Sequence, residues 1–279
     1  MKTIFIAVDF SAASIDACTY GIALAERWES SVILFHAFKS AVSIPEAFAV
    51  INSDELKFTA EKELQKLAQK IIGTKQLKYE VMAADGDAAE LILMYLQKYE
   101  DCMLVCGMKS KGNLLRKLFG DTITALLKEI HFPILVVPEG TADINLHKFV
   151  FATDFHLDTD IRTLIPVLSF AKLGTSKIVV LRVMHTDATA IEELNYRSER
   201  ITDFLSSYHP EFVFLKSDDI SDSICKYIQS NQIDLLVMIT KPHTFMERIF
   251  DKSEARSILF ELSIPLLLLP EINMGSIKM

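Results

Sequence analysis

Lys2-Thr3-Ile4-Phe5-Ile6-Ala7-Val8-Asp9-Phe10 stands near the start of the chain, and Lys148-Phe149-Val150-Phe151-Ala152-Thr153-Asp154-Phe155 returns to its pattern past the middle. A second echo follows. Phe132-Pro133-Ile134-Leu135-Val136-Val137-Pro138-Glu139 is answered by Ile264-Pro265-Leu266-Leu267-Leu268-Leu269-Pro270-Glu271. Asp9 and Asp154 are 145 positions apart, and Pro133 and Pro265 are 132 apart. The chain therefore carries one plan twice, the second copy about 13 residues shorter (145 less 132). A period of this length marks two sibling domains, not a solenoid. The boundary falls near Gly140 to Asn145, giving domains 1–142 and 143–279. So short a join predicts domains packed together, not loosely tethered.

Each opening run is continuously apolar, which suits a strand covered on both faces of a parallel sheet. In the first half, strands are predicted over 4–8, 32–37, 77–83, 103–106 and 134–137. Helices are predicted over 12–28, 54–72, 88–99 and 121–130. Ser11 caps the first helix, residues 39–50 read as a loop, and Asp85-Gly86-Asp87 as a chain break. The second half repeats the order, with strands over 149–153, 177–183, 211–216, 235–239 and 266–269. Its helices are predicted over 159–173, 189–207 and 220–230, with a loop and helix over 241–262. Strands alternating with helices predict an α/β fold: two doubly wound domains, each a five-stranded parallel sheet with helices on both faces.

The 279 residues carry 37 acidic and 29 basic side chains, a net charge of −8. That balance argues against nucleic-acid binding, which needs a concentrated positive surface. No apolar run approaches the roughly 20 residues of a membrane span, and no signal-peptide pattern follows Met1, so the expectation is a cytoplasmic chain with no membrane partner. Cys18, Cys102, Cys106 and Cys225 form no Cys-x-x-Cys pair. Cys102 and Cys106, roughly 13 Å apart along a strand, cannot share a metal. They read as small apolar core residues in a reducing compartment. The seven histidines show no metal-pair spacing and accompany no nucleophile motif. His36 reads as a core-edge residue with a hydrogen-bond partner, and Glu192-Glu193 and Asp218-Asp219 as solvated charges. No acid–base pair stands out, so the expectation is a chain that is not an enzyme.

Ligands of open parallel sheets bind past the carboxyl ends of the strands. Asp9, Ala37 and the stretch from Gly107 to Asp121 fall there. Gly107-Met108-Lys109-Ser110-Lys111-Gly112-Asn113 has the composition of an anion-wrapping loop. Gly120-Asp121-Thr122 opens a helix, where free N–H groups favour an anion. The spacing is not that of a Walker loop.

These residues resemble the universal stress protein family, one domain per half. The family's marker is Gly, two residues, Gly, nine residues, Gly, then Ser or Thr. Gly107 matches the first glycine and Gly120 the third, while Ser110 replaces the second. Asp121 stands at the Ser/Thr place, with Thr122 after it. Asp9 matches the family's nucleoside-contacting Asp, and Ala37 the backbone position that reads adenine. The resemblance implies ATP or AMP as ligand of the first half. Ser110 restricts the backbone, and Asp121 sets a carboxylate beside phosphates, with Lys109, Lys111, Arg116 and Lys117 as compensating charge.

In the second half Ile239, Pro242 and Lys252 take the three glycine places, and Pro242 offers no N–H. That half reads as a structural or pairing domain. The resemblance also implies pairing of the two domains within the chain, and a homodimer, through the apolar last strands. Two alternatives stay open: an interaction protein whose pockets take no nucleotide, and a binder of another small anionic or lipid-like ligand.

Overall fold

A computed structural model describes residues 1–40, 53–109, 120–126, 131–141, 143–153, 160–173, 177–184, 200–240 and 263–272. The chain divides into two compact units, whose described parts change over between Ile144 and Asn145; His131–Leu135 group with the second.

The first repeat runs β1 (Thr3–Ala7), α1 (Ala12–Trp28), β2 (Ser31–Phe38), α2 (Ser53–Ile72), β3 (Tyr79–Asp85), α3 (Ala88–Leu96), β4 (Cys102–Met108), α4 (Gly120–Leu126) and β5 (Ile134–Pro138). Its strands lie in the order β3-β2-β1-β4-β5. β1 pairs in parallel with both β2 and β4, and β2 with β3. The pairing puts neighbouring side chains on opposite faces. Phe5 meets Phe35, which meets Tyr95 of α3, with ring centroids 5.3 Å apart in both pairs. Ile6 points the other way, against Gly21 of α1. α1 and α2 thus cover one face, and α3, which packs on α4, the other. The central strand is buried from Thr3 to Ile6, as its unbroken apolar run requires.

Helix starts follow local chemistry. Ser11 Oγ accepts the Ser14 N–H at the head of α1, and Asp87 Oδ1 accepts the Ala89 N–H at the head of α3. α1 closes on Glu29 in the left-handed conformation.

The second repeat runs β6 (Lys148–Ala152), a 3₁₀ turn (Ile161–Leu164), α5 (Ile165–Ala171), β7 (Lys177–Met184), α6 (residues 200–205), β8 (Glu211–Lys216), α7 (Ile220–Ser230), β9 (Leu235–Thr240) and β10 (Leu266–Pro270). Its order is β10-β9-β6-β7-β8, and its pairings β6–β7, β6–β9, β7–β8 and β9–β10 are parallel. The registers coincide with those of the first repeat. Ile4 faces Met103 as Phe149 faces Leu235, and Ile4 faces Val32 as Phe149 faces Ile178.

The sequence misplaced some boundaries. β3 runs 79–85 and not 77–83, because Leu77 donates its N–H to Lys75 and completes a turn. α3 ends at Leu96, three residues short of expectation. The predicted helix over 159–173 is a 3₁₀ turn followed by the short α5, which starts around Pro166, a residue without an N–H. Asp219 is more than a solvated charge: it accepts the Asp222 N–H and caps α7. The expected loop and helix over 241–262 lie outside the described residues, as does most of the helix over 189–207. Among the described residues, no helix is long and apolar enough to cross a membrane.

Candidate functional site

Strand order reverses between β1 and β4, and a cleft of about 180 Å³ lies past their carboxyl ends. The end of β1 supplies Ala7, Val8 and then Asp9. Phe35 and Ala37 come from β2, and Cys106 and Gly107 from β4. The far wall is Ala88 and Ile92 of α3 with Thr122 and Ile123 of α4. Asp9, Ala37, Gly107 and Thr122, four of the residues expected from sequence, therefore meet at one place. Gly120 and Asp121 open α4, next to Thr122. Ser110 and Gly112 lie outside the described residues. Ser14, Phe35, Cys106 and Ile92 also line the cleft, and the sequence had shown them only as parts of predicted helices and strands.

Asp9 is held by the turn it begins. Its Oδ1 accepts the Ser11 N–H at 2.9 Å, and its own N–H donates to Ser14 Oγ at 3.3 Å. Between them Phe10 takes the left-handed conformation with φ 61°, uncommon for a residue with a side chain. Its ring rests on His36, centroids 4.8 Å apart, while His36 Nδ1 lies 2.7 Å from Val8 O. His36 therefore has the hydrogen-bond partner expected of it. Burial pushes the Asp9 carboxyl upward, but hydrogen bonds from Ser11 and Ser14 and the charge of Lys109 outweigh it. The group sits below its ordinary value of 3.8. Asp9 is thus an ionised acceptor at neutral pH, suited to hydroxyl, amine or amide donors.

The remaining lining is mostly apolar. Burial pushes the Cys106 thiol up to about 12, so it acts as a neutral wall and not as a nucleophile. The cleft opens to solvent, and the volume its described residues bound is below the roughly 300–1,000 Å³ of ordinary small-molecule pockets. It suits one ring-sized group. Among the described residues, no group of three or more His, Cys, Asp or Glu side chains is placed to hold a metal.

Gly107 has a reason to be glycine besides any ligand. A Cβ there would lie 2.2 Å from Ala13 O, 2.3 Å from Ala13 C and 2.6 Å from Ser14 N. Those are backbone atoms of the first turn of α1, which cannot yield as a side-chain tip does. The reading of Gly107 as a phosphate residue is therefore incomplete: α1 packing alone demands it.

Residues 1–138 match the model of the universal stress protein family. Three solved structures share the fold over nearly all of both chains. A universal stress protein from Archaeoglobus fulgidus is 16% identical, covers 96% of each chain and has a TM-score of 0.72. A putative universal stress protein from Pseudomonas aeruginosa is 13% identical, covering 97% of this chain and 94% of its own, at 0.61. The cytoplasmic domain of a prokaryotic cation chloride cotransporter is 9% identical, covering 96% and 95%, at 0.58. Among curated proteins, none matches. Residues 1–138 thus form a domain of the universal stress protein family, and the second repeat follows the same strand order and register.

Proposed function

We propose that the first unit binds a nucleotide, ATP or AMP, in the cleft beyond β1 and β4, and that the chain serves stress response as a binding protein, not a catalyst. The observation that carries this reading is the convergence of Asp9, Ala37, Gly107 and Thr122 in a domain of this family. The apolar walls between Phe35 and Ile92 suit the face of a base, and Asp9 suits ribose hydroxyls. Among the described lining residues Asp9 is the one carboxylate, and it has no acid–base partner there.

Mass spectrometry of the purified protein for retained nucleotide, followed by calorimetry with ATP and AMP, tests the reading. Asp121→Ser supplies the sharper arm. Two unit charges about 4 Å apart interact by about 4 kcal/mol at an effective dielectric near 20. Micromolar binding is worth about 8 kcal/mol. Replacing Asp121 by Ser removes a charge from the first turn of α4. ATP should bind about tenfold tighter or better, and AMP should gain less. The small volume favours a second reading, an interaction protein that takes no nucleotide. No retained nucleotide, and no binding by either protein, would decide for it.

A further inference from the structure

Asp85, the last residue of β3, gathers three separate elements at the mouth of the cleft. Its Oδ1 accepts the Ser40 N–H at 3.0 Å, just past β2. Its Oδ2 accepts the Ser40 hydroxyl, and at 3.2 Å the hydroxyl of Ser53, the first residue of α2. The next two residues continue the seam. Gly86 donates its N–H to Phe38 O at 2.9 Å. Asp87 caps α3 and pairs with Lys39 at 3.3 Å. The Asp85 and Gly86 ties, and not the exposed Lys39–Asp87 pair, bracket two facing walls: Ala37 immediately precedes Phe38, and Ala88 follows two residues after Gly86.

The second repeat serves as an internal control. Phe38 faces Asp85 at the end of the β2–β3 ladder, as Met184 faces Lys216 at the end of β7–β8. The backbone tie is kept, since Ser217 donates its N–H to Met184 O at 2.9 Å as Gly86 does to Phe38 O. The clasp is not kept, because Lys216 is a cation with no acceptor to offer. An acid at this register belongs to the repeat in which Asp9, Ala37 and Gly107 line a cleft.

We infer that Asp85 is a positioning residue of the cleft: by holding Ser40 and Ser53 on one carboxylate it fixes the β2 wall at Ala37 relative to the α3 wall at Ala88. The ligand part of this inference rests on the nucleotide reading above; the positioning part does not. Both are measured on the full chain with Asp85→Ala, Asp85→Lys (the second repeat's residue), Asp85→Asn and Ser40→Thr. Lys39→Ala is the control at the neighbouring exposed ion pair. Calorimetry with AMP gives affinity, thermal unfolding gives global stability, and amide hydrogen exchange gives the local seam.

The expected result is a five- to tenfold loss of affinity, on the order of one or two surface hydrogen bonds, in Asp85→Ala and Asp85→Lys. Melting temperature should not change. Asp85→Asn should lose less, and Ser40→Thr and Lys39→Ala nothing. Exchange should quicken at Ser40 and Gly86 and extend to Ala37 and Ala89. Unchanged affinity with quickened exchange at Ser40 overturns the inference. If the unaltered protein binds no nucleotide, the nucleotide reading fails by itself. The positioning role then stands if the exchange change reaches Ala37 and Ala89, and falls if it stops at Ser40.

Discussion

The two repeats share a backbone and differ in what fills it. Register places Val183 where the first repeat has Ala37, Met238 where it has Cys106, and Ile239 where it has Gly107. The matching caps Asp87 and Asp219 place Ile220 opposite Ala88. Each exchange is from smaller to larger at the carboxyl end of the sheet. The last strands are handled alike: Glu139 donates its N–H to Met108 O at 2.8 Å, and Glu271 to Thr240 O at 3.1 Å. One residue further on, Gly140 donates to Asp16 Oδ2 at 2.7 Å, and Ile272 to Thr163 Oγ1 at 3.1 Å. The same tie is made to different side chains of the first helical segment. The scaffold survives substitution wherever backbone groups make the contacts, while these described positions, which line the first repeat's cleft, carry larger side chains in the second.

The most severe way to break this comparison is to write the second repeat's residue into the first. Gly107→Ile would drive a branched side chain into Ala13 and Ser14. It should cost at least about 3 kcal/mol and leave the first unit largely unfolded by circular dichroism. A variant that melts like the parent would show that α1 can move away, and the packing explanation of Gly107 would fall.

Leu104→Ala and Leu236→Ala form a matched pair, since both are fully buried at the same register of β4 and β9. Each should cost about 3 kcal/mol. Calorimetric melting that lowers one transition for Leu104 and another for Leu236 would mean the units unfold separately. A single shared transition in both variants would mean they do not.

The ties beyond the last strands should matter less. Thr163→Val takes the hydroxyl of the buried Thr163 from the Ile272 N–H, and should cost about 1–2 kcal/mol. Asp16→Ala, beside an exposed Gly140, should cost about 1 kcal/mol or less. Equal losses in denaturant titrations would remove the distinction drawn between the two ties.

The smallest effect is acid sensitivity. Burial acts against ionisation at Asp9, but hydrogen bonds from Ser11 and Ser14 prevail, and the bonds from Arg162 dominate at Asp160; both carboxyls lie below 3.8. Unfolding restores the higher value, so their contribution is complete above about pH 4 and fades as pH falls through the lower folded values. Asp9→Asn and Asp160→Asn should each flatten the loss of stability in that acid window. Identical acid unfolding profiles in parent and variants would contradict it.

The fold was legible because its signals are local. Apolar runs marked β1 and β6, and Ser11 and Trp28 bounded α1 to the residue. Asp9, Ala37, Gly107 and Thr122 were legible because strand ends in an open parallel sheet converge. Phe35, Cys106 and Ile92 were not, because a wall of a cleft and a piece of core look the same in an apolar run. Asp85 passed as a chain break because its partners stand 45 and 32 residues away. Nothing near Asp85 announces them.

Gly107 stands in a binding signature and is also demanded by a helix. As long as the first turn of α1 lies against β4, a chain that had lost every affinity for nucleotide would still be obliged to carry Gly107. The first glycine of a binding signature is then a record of how a helix leans on a strand. Asp9 is under a similar obligation, since its carboxylate also holds the Ser11 N–H at the head of α1.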